Sequence, residues 1–385
     1  MKRKVGTLLL AIFSSLILTG CWDNNEPEQM VYAQGMGLDY KDGRYILYIQ
    51  NINLSVLAKS EAGGGGGELV KVEVGHASGK TFDEAAFNLY NSSQKRIFFG
   101  HLAFFVFSKS ALEHEGIKTA VDILNRYRET RYQIWFYATK QHLNELLSAT
   151  PMYDLSSSLS RLSDPTVIFE QRSFIRPIDM RELILQINEP GHEVNIPFIE
   201  LAKEWKTDQK TDQGFQVKEV AVVNSTNLKA ILKSDKVKGL SWMEKDKFVR
   251  DHLWVRDKKG STIDLVIEKK KVKIKPVRKG NNVQFKIDIK AKANITRMNE
   301  KTRTAEISAL VENKIKKDIL ETYKEGLKKD IDIYRLSAVV YKKDVQSWKQ
   351  IEKKGKVPLE EDSLNVKVDV KIVHGIKQRL EPTLN

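Results

Sequence analysis

Residues 79–107 read GKTFDEAAFNLYNSSQKRIFFGHLAFFVF, and this stretch decides the fold class. Thr81 is placed to cap a helix, with Glu84 three residues on to complete a capping box. Phe82, Ala85, Ala86, Leu89 and Tyr90 then fall on one helical face. Ile97–Phe107 follows as an apolar run, too short to span a bilayer, and reads as a buried strand. A helix feeding such a strand implies a sheet layered against helices.

The same alternation extends outward. Val31–Leu38 and Arg44–Leu54 read as strands about a Lys-Asp-Gly turn at 41–43, and Val70–Val74 as a third. Ile117, Ala120, Val121 and Leu124 align on a helix over Gly116–Arg126; Tyr132–Ala138 is an aromatic strand and His142–Leu147 a short helix. These make an α/β layer over about 31–150. Gly63–Gly67 is a flexible loop and not a phosphate cradle, because Glu68-Leu69 stands where Lys-Ser/Thr is required. Pro151, Pro190 and Pro197 break up the next region, and 203–214 (KEWKTDQKTDQG) reads as a polar linker. Strands resume at Gln216–Asn224 and Leu228–Leu232.

Beyond residue 260 the pattern changes. Val272 and Ile274, then Val283, Phe285, Ile287 and Ile289, alternate with polar residues around a turn at 279–282, as in a hairpin with one wet face. Glu306–Lys329 is the longest helix, Leu336–Lys349 a shorter one, and Leu364–Ile372 a closing strand. The expected fold is multi-domain α+β (mixed α/β), about three small domains of helices packed on mixed or antiparallel sheets. Their bounds are 31–200 for an N-terminal α/β domain, 201–260 for a small β-rich middle domain, and 261–385 for a basic α+β domain.

The net charge of +14 over 385 residues is unevenly placed. Residues 1–200 carry 20 Lys/Arg against 23 Asp/Glu, and residues 201–385 carry 44 against 27. The basic half should favour an anionic partner or surface. Lys269-Lys270-Lys271, Lys273 and Lys275 form a stripe that is either a solvated strand face or attracted to anionic headgroups. Few aromatics interleave to stack bases, so nucleic acid is not the expected partner.

The one cysteine excludes an internal disulfide and has a different use. Lys2, Arg3 and Lys4 form a positive n-region, Val5–Leu18 an apolar h-region, and Leu18-Thr19-Gly20-Cys21 a bacterial lipoprotein processing signal. Cys21 would receive a diacylglyceryl group and become the mature N-terminus, with residues 1–20 a signal peptide and 21–30 a tether. Two acyl chains hold far better than one, at about 0.8 kcal/mol per buried methylene.

Motifs for chemistry are missing. His114-Glu115 and His192-Glu193 each begin a zincin motif, but Lys118 and Ile196 stand where the second histidine belongs. There is no Gly-x-Ser-x-Gly, and Gly35-x-Gly37 lacks the third glycine of a dinucleotide loop. No catalytic, cofactor or metal residue is assigned. His101, between Gly100 and the aromatic run, is read as a hydrogen-bonded strand-edge histidine ahead of a ligand.

The ordered set of motifs resembles the Ger(x)C spore germination lipoproteins. GCWDNNEPEQMVYAQGMGLDY is similar to the family's mature start, through Cys21, Trp22, Asp23, Gly35, Gly37 and Asp39. Residues 79–117 resemble its Gly-Lys-Thr helix and Phe-x-Gly-His strand, through Gly79, Lys80, Thr81, Arg96, Phe98, Gly100, His101 and Gly116. Asp122, Arg126, Glu129 and Arg131 match the next helix–Arg–strand unit. EVAVVNSTNLKAILKSDKVKGL, Trp348 and His374-Gly375 match the C-terminal region. Residues 331–348 (IDIYRLSAVVYKKDVQSW) depart from the pattern, lacking a Gly-Phe-Gly-like turn and a proline before Trp348. The resemblance implies the C subunit of a nutrient germinant receptor. Such a protein is non-enzymatic, lacks cofactors, and is lipid-anchored on the outer face of the spore inner membrane beside integral-membrane A and B subunits. The competing readings are a substrate-binding lipoprotein of a transporter and a cell-wall enzyme.

Overall fold

The computed structural model describes residues 29–52, 72–127, 129–149, 161–172, 174–206, 211–245, 250–280, 282–298 and 303–373. The expected signal peptide, Cys21, the glycine run Gly63–Gly67 and His374-Gly375 lie outside the described residues. Two sheets organise the remainder, one of ten strands and one of four.

In the first sheet, β1 (Met30–Lys41) and β2 (Arg44–Ile52) form an antiparallel hairpin, which β3 (Glu73–Gly79) extends. The Asp42-Gly43 turn uses positive φ at both residues, 53° and 75°. Helix α1 (Phe82–Ser92) buries the predicted face of Phe82, Ala85, Ala86 and Leu89. Thr81 Oγ1 accepts the Glu84 N–H at 3.1 Å, while the Glu84 carboxylate takes the Lys80 N–H at 2.7 Å. The reciprocal bond thus falls one residue earlier than in a capping box.

The run Ile97–Phe107 is two strands, not one. β4 (Arg96–Phe98) pairs with Met30–Tyr32, the chain turns at Gly100-His101, and β5 (Phe104–Ser108) pairs with Gly35–Leu38. The interruption faces a bulge in β1 between Ala33 and Gly35. His101 is therefore an exposed turn residue, its ring edge-on to Tyr32 at 5.2 Å, and not a strand-edge histidine.

Helices α2 (Lys109–Glu113) and α3 (Gly116–Leu124) lead to β6 (Trp135–Thr139), parallel to β5. Then come α4 (Leu143–Ser148), α5 (Thr166–Gln171), the short β7 (Ile178–Asp179) and α6 (Met180–Asn188). Phe105, Phe107 and Phe136 pack with α1, α3 and α6 on one face, while Phe104, Val106 and Tyr137 pack with α4 on the other. The central strands are covered on both sides, as their unbroken apolar sequence requires.

β8 (Val194–Lys206), β9 (Thr211–Val223) and β10 (Leu228–Lys233) continue this sheet. The expected linker at 203–214 is the distal end of the β8–β9 ladder, with Trp205 opposite Asp212 and Lys206 opposite Thr211. Backbone groups make the ladder, and polar residues supply them as well as apolar ones. The strands expected in a separate middle domain, Gln216–Asn224 and Leu228–Leu232, therefore fall in β9 and β10 of the first sheet, and the segment is shared between the two sheets. β8 to β10 join the first sheet, and β11 (Asp251–Arg256), which follows α7 (Gly239–Met243), joins the second.

The second sheet runs β11-β12-β13-β14, with β12 (Thr262–Lys279) and β13 (Asn282–Met298) as a long hairpin. From β13 the chain crosses over through α8 (Thr304–Leu327), α9 (Leu336–Lys343) and α10 (Val345–Ile351) to β14 (Leu364–Val373), parallel to β13. Ile307, Val311, Ile315, Ile319 and Tyr323 of α8 cover one face of the sheet. The helix expected over 336–349 is split at Asp344, whose Oδ1 accepts the Ser347 N–H at 3.0 Å and caps α10.

Candidate functional site

The two sheets meet along a seam built from the loop between α8 and α9. Ile331 and Ile333 enter an apolar cluster with Ile175, Val220, Val222, Leu232 and Val237. Charged groups lock this contact. Glu193, 3% exposed, accepts the Asp332 N–H at 2.7 Å and the Lys356 ammonium at 2.6 Å. Asp332 in turn receives the N–H groups of Leu336 and Ser337 at 2.8 and 2.7 Å, fixing the start of α9. Glu189 holds Arg335 at 2.8 Å and Lys342 at 2.6 Å. Left-handed backbone gathers here at His192, Asp330, Arg335 and Lys354, beside Gly191 and Gly355. Each such non-glycine residue costs on the order of 1–3 kcal/mol, a strain the seam must hold in place.

Electrostatics separate the two seam glutamates. Burial pushes the Glu193 carboxyl above the ordinary carboxylate range, although Lys356 opposes it. Burial would raise Glu189 too, but its bonds from Lys342 and Arg335 prevail and hold it below that range.

Several of the motif residues serve packing or local hydrogen bonding. A Cβ on Gly35 would overlap the Phe104 ring, and one on Gly79 would overlap the backbone at the start of α1. Asp39 accepts the Ser108 hydroxyl, and Ser108 caps α2 by accepting the Ala111 N–H at 2.9 Å. Arg96 pairs with Glu129 at 3.2 Å. Trp348 stands edge-on to Tyr341 at 5.1 Å. Asp122, Arg126 and Arg131 are exposed.

Two family models match the chain in tandem. The spore germination protein N-terminal domain covers residues 23–201, and the spore germination B3/GerAC-like C-terminal domain covers residues 218–375. The chain belongs to this family of spore germination proteins. It is similar to spore germination protein KC of Bacillus subtilis (strain 168), 22% identical over 91% of this chain and 90% of that protein. Spore germination protein B3 of the same organism is 24% identical over 74% of this chain and 72% of its own length. The crystal structure of the GerBC protein has the same fold, with a TM-score of 0.51 and 17% identity over 89% of this chain and 97% of that one.

In this spore germination protein two cavities lie between the two sheets. The larger, of about 490 Å³, is lined by Tyr137, Arg161, Phe169, Arg172, Phe174 and Asp251 among others. Two of its polar groups are committed: Arg161 donates to the Phe215 carbonyl at 2.9 Å, and Asp251 accepts the His252 N–H at 2.9 Å. Burial lowers the Arg161 guanidinium and raises the Asp251 carboxyl. The second cavity, of about 340 Å³, is walled by ion pairs, with Arg176 3.0 Å from Glu182 and 3.4 Å from Glu244. Among the described residues no group of three or more His, Cys, Asp or Glu could hold a metal ion. No helix among them is long and apolar enough to cross a membrane.

Neither half-zincin motif is a ligand pair in this fold. His114 stacks on Tyr40 at 4.1 Å with Nδ1 2.9 Å from the Ser110 carbonyl, and Glu193 is the seam carboxylate. Sequence reasoning missed the seam. Its only local signal was a charged residue, Glu193, after a Pro-Gly turn and directly ahead of the alternating strand VNIPFI.

Proposed function

We propose that this protein is the lipid-anchored C subunit of a nutrient germinant receptor. Diacylated Cys21 tethers it to the outer, extracytoplasmic face of the spore inner membrane. The two sheets dock on the integral-membrane A and B subunits, and the protein is needed for nutrient-triggered germination. It has no catalytic role and no cofactor; it holds or relays. The observation that carries this reading is the tandem match to both germination domains, immediately downstream of a lipobox cysteine. A rigid seam suits a body that transmits contact between partners.

Replacing Cys21 with Ala should move the protein from the membrane fraction of spores to the soluble fraction and slow nutrient-triggered germination. Wild-type germination with a fully soluble variant would overturn the proposal. Co-purification from detergent-solubilised spores should recover the membrane subunits. The rival reading, a transporter's substrate-binding lipoprotein, needs two similar lobes, whereas the sheets here have ten and four strands. Equilibrium dialysis against amino acids, sugars and nucleosides separates the two.

A further inference from the structure

The lysine stripe of β12 is one row of a two-dimensional array. In β12, Lys269, Lys271, Lys273 and Lys275 are exposed on the sheet face opposite α8. In β13, Lys286, Lys290 and Lys292 occupy the same face. In β14, Lys367 and Lys371 complete it. The register sets like charges directly opposite one another: Lys269 faces Lys292, Lys271 faces Lys290, Lys275 faces Lys286, and Lys292 faces Lys371. Asp288, between Lys273 and Lys367, Asp369, opposite Lys290, and the neutral Asn365, opposite Lys286, interrupt the array.

Like charges directly opposite across strands are destabilising, so this face works against the fold that carries it. None of these lysines makes an ion pair within the described residues. Their inner-face neighbours Ile274, Phe285, Ile287 and Ile289 are buried in the core beneath α8, which fixes the lysines on the outer face. A locally unfavourable choice repeated over three strands marks a surface selected for an anionic counterpart.

The geometry points to an anionic lipid bilayer as that counterpart: we propose that the outer face of the second sheet lies on negatively charged headgroups. Three observations favour a bilayer over a specific protein or nucleic acid. The cations of the lattice are all lysine, a hydrated point charge suited to diffuse headgroups rather than to bidentate recognition. No aromatic side chain stands among the lysines to stack bases. Trp254, 52% exposed on the edge strand β11 with Arg256 over its ring at 5.5 Å, shares this face at its rim, as tryptophans do at membrane interfaces. The proposal deepens the anchored-subunit reading and rests on it for the membrane's presence. Cys21 supplies the tether, and the lysine face supplies a second contact that orients the body.

The test uses the full chain with Cys21→Ala, so that no acyl chain contributes. Vesicles of phosphatidylcholine alone are compared with vesicles containing roughly one-third phosphatidylglycerol, by co-sedimentation. Binding should be at least about tenfold stronger to the anionic vesicles at about 0.05 M salt and should vanish near 0.5 M. Reversing Lys269, Lys271, Lys290 and Lys292 to Glu should weaken it by on the order of a hundredfold, at several-fold per lysine. Reversing Lys41, Lys80, Lys109 and Lys118 on the first sheet's body should leave it unchanged. If the quadruple variant does not fold, the lipid and salt dependence of the unreversed chain still decides. Equal binding to both vesicles, or binding to duplex DNA or an acidic protein without preference for phosphatidylglycerol, overturns the proposal. Membrane release of the Cys21→Ala variant in spores reads the anchor separately, so the two failures are distinguishable.

Discussion

β5 buries both of its faces, whereas β13 buries one and gives the other to lysine. In β5 all five residues are buried, and the first four alternate between two apolar clusters. In β13 Val283, Phe285, Ile287 and Ile289 enter the core beneath α8, and Lys286, Lys290 and Lys292 remain in water. A strand covered twice reads as an unbroken apolar run and has no surface left to interact. A strand covered once reads as alternation, and its free face can carry charge. The first sheet is thus a scaffold, and the second is a scaffold with a working side.

The most severe way to break this contrast is to cut the doubly covered core. Phe107→Ala should cost about 3–5 kcal/mol in urea unfolding, since its ring packs against Phe105 and Phe136. A loss below about 1 kcal/mol would mean that the site collapses around the gap and that double coverage is not what holds β5.

Next in size is the seam that joins the two sheets. Glu193→Ala strands the Lys356 ammonium and frees the Asp332 N–H, at a cost of about 2–3 kcal/mol. This is less than for a fully buried pair because a quarter of the Lys356 side chain, 25%, stays exposed. The pH dependence has a definite sign. A carboxyl raised in the folded state binds its proton more tightly there. Its contribution is therefore full below the usual value of 4.5 and declines as pH rises through the window above it. Stability curves of wild type and Glu193→Gln should diverge in that window, and parallel curves would refute the assignment.

Lys270 sharpens the comparison within a single tripeptide. Its neighbours Lys269 and Lys271 stand on the outer face, but it opposes Ala291 on the inner side and donates to the Trp242 carbonyl at 3.1 Å and to that of Glu244. Burial lowers its ammonium from 10.5 to about 7. The unfolded chain therefore holds this proton more tightly, and stability should rise between pH 7 and 10.5 as the cost of the buried charge is relieved. In Lys270→Met that rise should disappear; its persistence would place the titrating group elsewhere.

The smallest effect belongs to the outer face. Lys292→Glu turns two like-charge pairs, with Lys269 and Lys371, into opposite ones. It should raise stability by no more than about 1 kcal/mol at low salt, and by less as salt screens it. A clear loss would show that Lys292 packs rather than repels.

Much of this could be read in advance. The helix at Thr81, the alternation of Val283 to Ile289 and the four-residue steps of α8 all come from periods that the chain itself sets. The seam could not. Glu193 and Lys356 lie far apart in sequence, and nothing local marks either one as buried. The distal β8–β9 ladder was invisible because backbone groups make it, and the break at Gly100-His101 was hidden inside an apolar run.

By itself the sequence determined the lipobox-like pattern that ends at Cys21, the mixed α and β elements and the concentration of lysine after residue 200, because these depend on composition and short-range spacing. Only the tertiary structure decided that strands 194–233 join the first sheet and that Glu193 pins one sheet to the other. It also decided that the lysines of three strands share one sheet face while Lys270 turns away from it. Register and sheet order bring distant residues together, and neither is carried by any local pattern.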